Sequence, residues 1–332
     1  CKILREKVFT LLESHGVKLD PHPEMVKDLK NANLMVDEDT GSVRFPAHIL
    51  EELLVQAPRS FVLGSPNRDK SLVLPRPDGT FYARTGTGAH GYIDPETGNY
   101  RKVTLKDLTQ WAALINQLGE ISFMPYLFPD DAPKKTADVH ALAAVMKSTS
   151  KHIWVQPYSS ESVDHLIALG AAAAGGRKKL VDNPVISMIA CSLTPRTLKK
   201  KDIDIIIKAA KAGIPIHACS LPGAGGTAPV TTPGTVLLAV AEILSITAMA
   251  QAVHPGAPVV ACPIIFHTDM RSGRSLQACV EAIRGASMAI QFIKKEFELP
   301  TQHYGSGTDA PTVDEQSCSE RSMLTTWMAA SG

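Results

Sequence analysis

The sequence predicts an α/β protein whose main part is a (β/α)8 TIM barrel, truncated after six strand–helix units and preceded by an N-terminal α+β extension. Short apolar runs alternate with segments of helical periodicity, and each pair takes about 30 to 45 residues, as in strand–helix units of a parallel sheet. Within the runs, apolar residues stand at consecutive positions, which is typical of strands covered on both faces. Because a closed barrel of this class needs eight units, we expect two strands to lie outside this sequence.

Residues 1–104 are interpreted as the α+β extension, which is expected to pack on the barrel. Apolar residues recur at helical spacing in 4–14 and 48–56, and short strand patterns follow at 61–63, 71–74 and 80–84. Residues 91–103 contain a Pro-Glu-Thr-Gly turn and predict a hairpin. Thr104 and Asp107 then form a capping-box signature that begins a helix. We therefore place the barrel at residues 105–332.

The barrel segment contains six apolar runs, each followed by a helical pattern. The runs are 121–128, 152–158, 185–191, 215–220, 258–266 and 301–304. The helices are predicted at 136–149, 161–174, 196–212, 233–253, 274–297 and 312–330. The alternative architecture, a doubly wound open sheet, usually has a glycine-rich fingerprint after its first strand. Here the first run ends in YLFPDDAP, which favours the barrel.

The composition favours a small molecule or a protein as partner. Lys and Arg number 34 against 33 Asp and Glu, so there is no basic excess to attract nucleic acid or acidic lipid. The most apolar segment, 236–250, is shorter than the roughly 20 residues of a membrane span and contains Glu242. The cysteines form no CxxC pair, so we interpret them as reduced thiols of a cytoplasmic protein without a bound metal.

A loop rich in glycine and proline, SLPGAGGTAPVTTPG at 220–234, separates an apolar run from an apolar helix pattern. Three interpretations are open. The loop is a phosphate cradle at a helix N-terminus, although it matches neither GxxxxGK[ST] nor GxGxxG. It is a structural turn that uses the conformational freedom of glycine. Or it lines an active site at the carboxyl-terminal face of a barrel, where barrel enzymes have their catalytic residues.

Polar and aromatic residues follow the apolar runs, where a barrel would bring them to one mouth. Although aromatic residues make up only 5% of the chain, several occur at these positions, and aromatic faces beside carboxylates suit an organic cation. An arginine or histidine there would suit a carboxylate. The predicted substrate-binding residues are Tyr126, Phe128, Gln156, Tyr158, Phe266, His267, Asp269, Arg271, Tyr304 and Asp309. No Ser/His/Asp arrangement or metal motif is evident, so a separate cofactor is expected to supply the reactive group.

Four segments resemble, in order, the trimethylamine:corrinoid methyltransferase family, in the form of its members that lack pyrrolysine. They are RTGTGAHGYIDPETGNY (84–100), SLPGAGGTAPVTTPGT (220–235), TDMRSG (268–273) and GSGTDAPTVDEQ (305–316). The resemblance extends over nearly the whole chain. It implies a (β/α)8 barrel that transfers a methyl group from a methylamine to the Co(I) of a corrinoid (cobalamin). A small partner protein carries that corrinoid, so no cofactor is bound permanently, and a homo-oligomer is expected.

Gly307 departs from the pattern of trimethylamine-specific members, in which pyrrolysine directly precedes the Ser-Asp or Thr-Asp pair. In this chain Gly307 precedes Thr308 and Asp309, and no catalytic residue is assigned. A quaternary ammonium already carries a positive nitrogen, so its amine leaves neutral without a general acid or an imine adduct. The resemblance therefore implies a quaternary donor such as glycine betaine, with trimethylamine or another methylamine as the alternative.

The glycine loops are expected to let a flat corrinoid approach the barrel mouth. The positions predicted to face it are Gly223, Gly225, Gly226, Thr227, Gly305, Ser306 and Gly307. On this hypothesis, a bulky residue at Gly225 abolishes methyl transfer and leaves the fold intact. Two other function classes stay open, namely a TIM-barrel lyase acting on a phosphorylated substrate and a non-catalytic betaine-binding protein.

Overall fold

The computed structural model describes residues 1–86 and 88–332 and alternates helices with short strands. The helices are α1 (Lys2–Ser14), α2 (Pro23–Asn31), α3 (Ala47–Gln56), α4 (Leu105–Gln117), α5 (Ala137–Met146), α6 (Ser160–Ala174), α7 (Arg177–Asp182), α8 (Lys200–Lys211), α9 (Thr232–Val253), α10 (Val280–Phe297) and α11 (Glu315–Ala330). The strands are β1 (Val17–Leu19), β2 (Met35–Asp37), β3 (Ser42–Arg44), β4 (Phe61–Leu63), β5 (Leu72–Leu74), β6 (Ala83–Arg84), β7 (Gly91–Ile93), β8 (Tyr100–Lys102), β9 (Ile121–Pro125), β10 (His152–Val155), β11 (Ile186–Cys191), β12 (Thr197–Leu198), β13 (Ile216–Ser220), β14 (Gly223–Ala224), β15 (Val259–Pro263), β16 (Phe266–Thr268) and β17 (Ser275–Leu276). Thr87, inside the first segment of the family resemblance, lies outside the described residues.

The chain divides into two compact units, here named the terminal unit and the central unit. The terminal unit comprises Cys1–Arg59, Ala190–Ala210 and Ile216–Gly332. The central unit comprises Ser60–Ile189 and Lys211–Pro215. Each unit is assembled from separate stretches of the chain, and one division between the units falls inside β11. The predicted domain boundary at residue 104 is not tested by this division and stays a prediction.

The central unit contains parallel strands joined by helices. Strand β9 pairs with β10 and β10 pairs with β11, both in parallel, and the short strand β6 pairs in parallel with the other side of β9. Helix α5 connects β9 to β10, and α6, followed by the short helix α7, connects β10 to β11, as in βαβ units. Fully buried side chains from both layers form the core, among them Met124, Val155, Met188, Leu142 and Leu166. The alternation of strands and helices predicted for this part of the chain is confirmed.

Helix α4 is closed at both ends by side-chain hydrogen bonds. The Thr104 N–H donates to the Asp107 carboxylate at 2.9 Å, and the Asp107 N–H donates to the Thr104 hydroxyl at 3.3 Å, which confirms the predicted capping box. Beyond the other end, the Lys151 ammonium donates to the carbonyl oxygens of Ile115 at 2.7 Å and Leu118 at 2.5 Å, and also to that of Ile121. Lys151 therefore joins the end of α4 to the start of β9.

The terminal unit contains the later strand–helix repeats. Strands β13 and β15 pair in parallel from Ile216 opposite Val259 to Ser220 opposite Pro263, and α9 connects them. The sixth predicted strand is reduced to a parallel bridge between Ala261 and Thr301. A separate four-stranded sheet has the order β12-β1-β3-β2.

Helix α9 is apolar around its whole circumference because other helices cover it. Helices α1, α2, α3 and α10 pack against it. Among residues 1–86 and 88–332 it is the one helix long and apolar enough to cross a membrane, but 83% of that apolar window is buried inside the protein. A helix packed on all sides needs no polar face, so its place in the core accounts for its composition.

The helix predicted at 312–330 begins at Glu315, and two other helices begin later than predicted because a short strand takes the place of their first residues. The helix predicted at 196–212 begins at Lys200, because Thr197 and Leu198 form β12 and pair with β1. The helix predicted at 274–297 begins at Val280, because β17 forms a hairpin with β16. In both cases, pairing with another segment decides the conformation over the local periodicity.

His152, in β10, is a buried histidine whose two ring nitrogens both have partners. Its Nδ1 lies 2.8 Å from the carbonyl oxygen of Gly64, and its Nε2 lies 2.8 Å from the hydroxyl oxygen of Ser187. Burial lowers the pKa of His152 from 6.5 to about 4, although the Gly64 carbonyl acts in the opposite direction. The folded central unit therefore keeps this ring neutral at a pH at which a solvated imidazole is protonated.

The free energy of unfolding is expected to fall as the pH drops from 6.5 toward 4, because of His152. In this pH range the His152 ring of the unfolded chain binds a proton that the ring of the folded chain does not bind. The contribution of His152 to the free energy of unfolding is therefore complete above pH 6.5, the pKa in the unfolded chain, and is lost as the pH falls toward about 4, the pKa in the folded chain. The difference between the two pKa values corresponds to about 3 kcal/mol. Urea unfolding at a series of pH values should find this dependence in the wild type and not in His152→Gln. The variant His165→Gln, at an exposed histidine of α6, should retain it. An equal pH dependence in His152→Gln and wild type would contradict the assignment.

Candidate active site

An aromatic cluster follows strands β9 and β10 in the central unit. The centroid of the Phe128 ring lies 4.7 Å from that of His90 and 4.7 Å from that of Tyr158, with interplanar angles of 36° and 65°. The Phe128 N–H donates to the carbonyl oxygen of Ala89 at 3.1 Å, which fixes the segment of His90 beside the end of β9. The structure thus brings the predicted residues Phe128 and Tyr158 together and adds His90 to them. We name these three residues the aromatic cluster.

Tyr126 and Gln156 are joined by two hydrogen bonds. The Tyr126 hydroxyl donates to the carbonyl oxygen of Gln156 at 2.8 Å and accepts from its N–H at 3.2 Å. Tyr126 is 1% exposed, and burial raises the pKa of its hydroxyl, with the nearby Asp138 as a second cause. This neutral phenol ties the ends of β9 and β10 together, so it holds the segments that carry the aromatic cluster.

A buried carboxylate, Asp138, lies in the first turn of α5 and is hydrogen-bonded to the cluster segment. It has no exposed surface, and it accepts from the N–H of Tyr158 at 2.8 Å and from that of Val139 at 2.9 Å. Burial first and Asp138 second raise the pKa of the Tyr158 hydroxyl. The cluster therefore has a carboxyl group close to it that has no exposure to water.

The Tyr158 hydroxyl oxygen is a buried polar atom without a hydrogen-bond partner among the described residues. Leaving such a group unpaired costs about 1 to 3 kcal/mol, and a bound ligand or water commonly completes it. The hydroxyl can therefore donate a hydrogen bond to a molecule held at the aromatic cluster.

The glycine loop of the terminal unit is a compact turn around the Gly223 carbonyl oxygen. The N–H groups of Gly226, Thr227 and Ala228 all donate to this oxygen at 3.0 Å, and the Gly225 N–H donates to Ala228 at 3.0 Å. Strand β14, inside the loop, pairs with β16. Because these N–H groups are used inside the turn, they are not available to a phosphate, which speaks against the phosphate-cradle interpretation.

The glycines Gly225 and Gly305 differ in what a side chain would meet. Gly225 has φ +84°, where any L-residue is strained, and a Cβ there would lie 3.3 Å from Met270 Sδ. Nothing lies within 4 Å of a Cβ built at Gly305. A bulky residue at Gly225 would therefore strain the fold as well as block the loop, so its effect on methyl transfer stays a prediction that cannot be separated from stability. Gly305 is the position at which a large side chain changes only the open space beside the loop.

The predicted residues after β15 lie on the hairpin of β16 and β17. Phe266 and His267 are half-buried on β16, whereas Arg271 is exposed in the turn. Asp269 closes that turn, because its carboxylate accepts from the Ser272 hydroxyl and from the Arg271 N–H at 3.0 Å. These two hydrogen bonds, the first being the stronger cause, lower the pKa of Asp269. The hairpin thus separates a half-buried aromatic pair from a polar turn.

Asp309 is hydrogen-bonded to the backbone at the start of α10. Its carboxylate accepts from the Gln277 N–H at 3.0 Å and from the Ala278 N–H at 2.9 Å. Tyr304, also predicted to bind substrate, is half-buried, and its ring centroid lies 6.3 Å from that of His303. Asp309 therefore anchors the loop that contains the predicted corrinoid-facing glycines.

Helix α11 holds the same loop from another side. Glu320 accepts from the Thr308 hydroxyl at 2.6 Å and from the Asp309 N–H at 2.7 Å. The Arg321 guanidinium donates to the carbonyl oxygen of Ser306 at 2.6 Å. The loop is rich in glycine, yet side chains on both sides fix its backbone.

Glu242, in the middle of α9, is a fully buried glutamate that joins two loops of the terminal unit. Its carboxylate accepts from the hydroxyls of Ser220 at 2.5 Å and Thr194 at 2.8 Å, and from the Arg196 N–H at 2.7 Å. Ser220 ends β13 at the start of the glycine loop, and Thr194 and Arg196 follow β11. Glu242 therefore fixes two strand ends at once.

The sequence prediction missed the polar residues whose role depends on burial. Asp138 stands in the first turn of a helix, where an acidic residue ordinarily marks an exposed N-terminus. His90 stands outside the apolar runs, with no local signal. Among these residues, Glu242 alone had a local signal in the sequence, because it interrupts a long apolar helix pattern.

The predicted substrate-binding residues fall into two sets, one in each unit. Tyr126, Phe128, Gln156 and Tyr158 belong to the central unit, and the other predicted residues belong to the terminal unit. Their convergence at one mouth stays a prediction. Within residues 1–86 and 88–332, no group of three or more His, Cys, Asp or Glu side chains is placed to hold a metal ion.

Parallel strand–helix repeats, with polar and aromatic residues after the strands, define a barrel protein of the TIM class. The monomethylamine methyltransferase MtmB of Methanosarcina barkeri has a similar solved structure, with a TM-score of 0.56 over 98% of this chain and 72% of that one. At 14% identity this likeness shows the fold alone, and it confirms the predicted barrel class.

The model of the trimethylamine methyltransferase (MTTB) family matches residues 1–332, so the chain belongs to this family of methyltransferases and the predicted resemblance is confirmed. Trimethylamine methyltransferase MttB of Desulfitobacterium hafniense is 26% identical over 313 residues, covering 93% of this chain and 62% of that protein. Glycine betaine methyltransferase of Desulfitobacterium hafniense strain Y51 is 26% identical over 329 residues, covering 98% of this chain and 67% of that protein. This chain therefore spans about two thirds or less of these relatives.

Proposed function

We propose that the protein transfers a methyl group from a quaternary amine such as glycine betaine to the Co(I) corrinoid of a small partner protein in the cytoplasm. Membership of the methyltransferase family supports the reaction class. The observation that carries the donor class is the aromatic cluster beside the buried carboxylate of Asp138.

The aromatic cluster suits a quaternary ammonium for electrostatic reasons. Each aromatic face attracts a nearby cation by about 0.5 to 2 kcal/mol, and more where water is excluded. The Asp138 carboxylate adds attraction through a medium of low dielectric constant, without touching the donor. The unpartnered Tyr158 hydroxyl would donate to the carboxylate of a betaine. These groups bind and orient the donor, and orientation alone supplies several kcal/mol of rate acceleration.

The glycine loops of the terminal unit suit the approach of a broad, flat macrocycle. A side chain at Gly305 would meet no neighbour, so that part of the loop has bare backbone with open space beside it. When presented, the Co(I) centre supplies the nucleophile that takes the methyl carbon, and the C–N electron pair leaves with the amine. With Gly307 in place of a reactive side chain, the chain has no adduct-forming group there to activate a tertiary amine, which favours a quaternary donor.

The main alternative donor is trimethylamine, which the names of most of the similar relatives favour. Assays with glycine betaine, proline betaine, carnitine and trimethylamine against Co(I) corrinoid protein discriminate among these donors. Methyl transfer from trimethylamine alone would contradict the quaternary donor. Tight binding of a betaine without transfer would indicate the non-catalytic function instead.

Removing the aromatic face at Phe128 is expected to weaken binding of glycine betaine about tenfold, because one cation–π contact is lost. The test compares Phe128→Leu with the wild type by isothermal titration calorimetry and by methyl transfer to Co(I) corrinoid. The matched control is Phe81→Leu, at an exposed phenylalanine of the central unit, which should bind as the wild type does. Equal dissociation constants in Phe128→Leu and wild type would exclude the aromatic cluster as the cation site.

A further inference from the structure

Arg84 ends the short strand β6 of the central unit, and its side chain reaches across strand β9. It pairs with Phe123 of β9, and the order of these strands in the sheet is β10-β9-β6. Its guanidinium carbon lies over the ring of Trp154, on β10, at 4.6 Å from the ring centroid. Trp154 is 1% exposed, and the Nε and Nη2 atoms of Arg84 are buried as well. A permanent positive charge therefore lies away from bulk water, where it attracts an anion more strongly than at the surface.

Thr85, the next residue, has a buried hydroxyl for which the described part of the chain offers no hydrogen-bond partner. The Nη1 of Arg84 donates to the carbonyl oxygen of Thr85 at 2.8 Å, so the guanidinium lies beside this residue. Apart from its own chain neighbours, nothing that the structure describes lies within 4 Å of a Cβ built on Gly86, so the space after Thr85 is open. A ligand or water commonly completes a buried hydroxyl of this kind, and one anion can accept from both the hydroxyl and the guanidinium.

The same segment of the chain continues to the aromatic cluster. A Cβ built on Gly88 would lie 3.7 Å from Cε2 of Phe128, and His90 of the aromatic cluster follows two residues later. Because three residues of chain span at most about 11 Å, Thr85 lies within that distance of the glycine that contacts Phe128. One short segment of the central unit therefore carries donors for an anion close to an aromatic site for a cation.

We propose that Arg84 and Thr85 bind the carboxylate of the methyl donor, so that the protein selects betaines over amines that have no acid group. This inference rests on the proposed function, in which the aromatic cluster binds the ammonium of the same donor. Guanidinium N–H groups form short, charge-assisted hydrogen bonds with a carboxylate, and the Thr85 hydroxyl gains its missing partner by donating to the same group. The carboxylate then fixes the direction in which the methylated ammonium points.

The first test removes the hydroxyl and keeps the volume of the side chain. Thr85→Val should lower the affinity for glycine betaine about tenfold, because one hydrogen bond to a charged group is lost. Its affinity for tetramethylammonium, which has no carboxylate, should stay at the wild-type value. The melting temperature should not fall, because the hydroxyl has no partner to lose in the free protein. Isothermal titration calorimetry and thermal melts measure these quantities. An unchanged affinity for glycine betaine, or an equal loss for both ligands, would overturn the proposal.

The second test changes the guanidinium. Arg84→Gln should lower the affinity for glycine betaine about 100-fold, because the carboxylate loses its charged partner, and Arg84→Lys should lower it about tenfold, because the charge remains without the planar fork. The matched control is Arg177→Gln, at an exposed arginine of the central unit, which should bind as the wild type does. Thermal melts check folding, and Arg84→Lys decides the result if Arg84→Gln does not fold. A wild-type ratio of the affinities for glycine betaine and tetramethylammonium in these variants would overturn the proposal.

Calorimetry also distinguishes failure of this inference from failure of the proposed function, because it needs no corrinoid. If the wild type transfers no methyl group from any donor, the proposed function fails, and a weaker affinity for glycine betaine in Thr85→Val and Arg84→Lys still supports the carboxylate site. If the wild type transfers a methyl group from glycine betaine and both variants retain its affinity, the inference alone fails. Absence of glycine betaine binding by the wild type overturns the inference.

Discussion

Replacing Gly305 by tryptophan is expected to reduce methyl transfer by about 100-fold or more while the melting temperature stays unchanged. Gly305 lies in the loop between Thr301 and α11, and no atom lies within 4 Å of the Cβ position. The backbone there is not in the left-handed region, so the substitution brings no strain. An indole at this point would keep a macrocycle several ångströms from the loop, and a displacement of even about 1 Å can cost a factor of 100 in rate.

The measurement is methyl transfer from glycine betaine to Co(I) corrinoid, together with calorimetric binding of the donor. Donor binding should be retained, because the substitution affects only the approach of the corrinoid protein. Gly119→Trp, after α4, is the matched control, since that glycine also has open space and no left-handed backbone. Wild-type rates in Gly305→Trp would show that the corrinoid does not pass this loop.

Replacing Glu242 by alanine is expected to lower the free energy of unfolding by about 3 kcal/mol or more. The carboxylate is fully buried and accepts hydrogen bonds from Ser220, Thr194 and the N–H of Arg196. Alanine leaves these donors inside the terminal unit without an acceptor and opens a cavity between them. The ends of β11 and β13 should lose their fixed positions with it.

Urea unfolding of the full chain measures this loss. Ser220→Ala removes one of the three hydrogen bonds to Glu242 and should lower the free energy of unfolding by about 1 kcal/mol. The loss in Ser220→Ala should therefore be smaller than the loss in Glu242→Ala. Glu281→Ala, at an exposed glutamate of α10, should change stability by no more than about 0.5 kcal/mol. A loss in Glu242→Ala no larger than in Glu281→Ala would contradict a structural role for this carboxylate.

Much of the fold could be predicted because its strands are buried on both faces. Consecutive apolar residues marked β9, β10, β11, β13 and β15 within about three residues of their bounds, and helical periodicity marked the helices between them. The errors came from pairing over long distances. Thr197 and Leu198 belong to a sheet formed by residues near the start of the chain, and no local pattern contains that partner.

The sequence predicted which residues lie after the strands, but it did not predict what each of these residues contacts. Phe128 and Tyr158 were expected to lie near each other, because both follow parallel strands, and their rings do lie 4.7 Å apart. Asp269 and Asp309 were expected to bind substrate, and both carboxylates also accept backbone N–H groups that shape their loops. Whether a carboxylate faces a ligand or a neighbouring backbone depends on loop conformation, which periodicity does not encode.

The sequence by itself determined the class of fold and the family, because apolar periodicity and four ordered segments are properties of the chain read along its length. Only the tertiary structure decided which polar groups are buried and which space is open. Asp138 and Glu242 are buried by segments distant in sequence, and the Arg84 guanidinium lies over the ring of Trp154, seventy positions away. Burial and contact are set by the packing of separate elements, so these features exist only once the chain has folded.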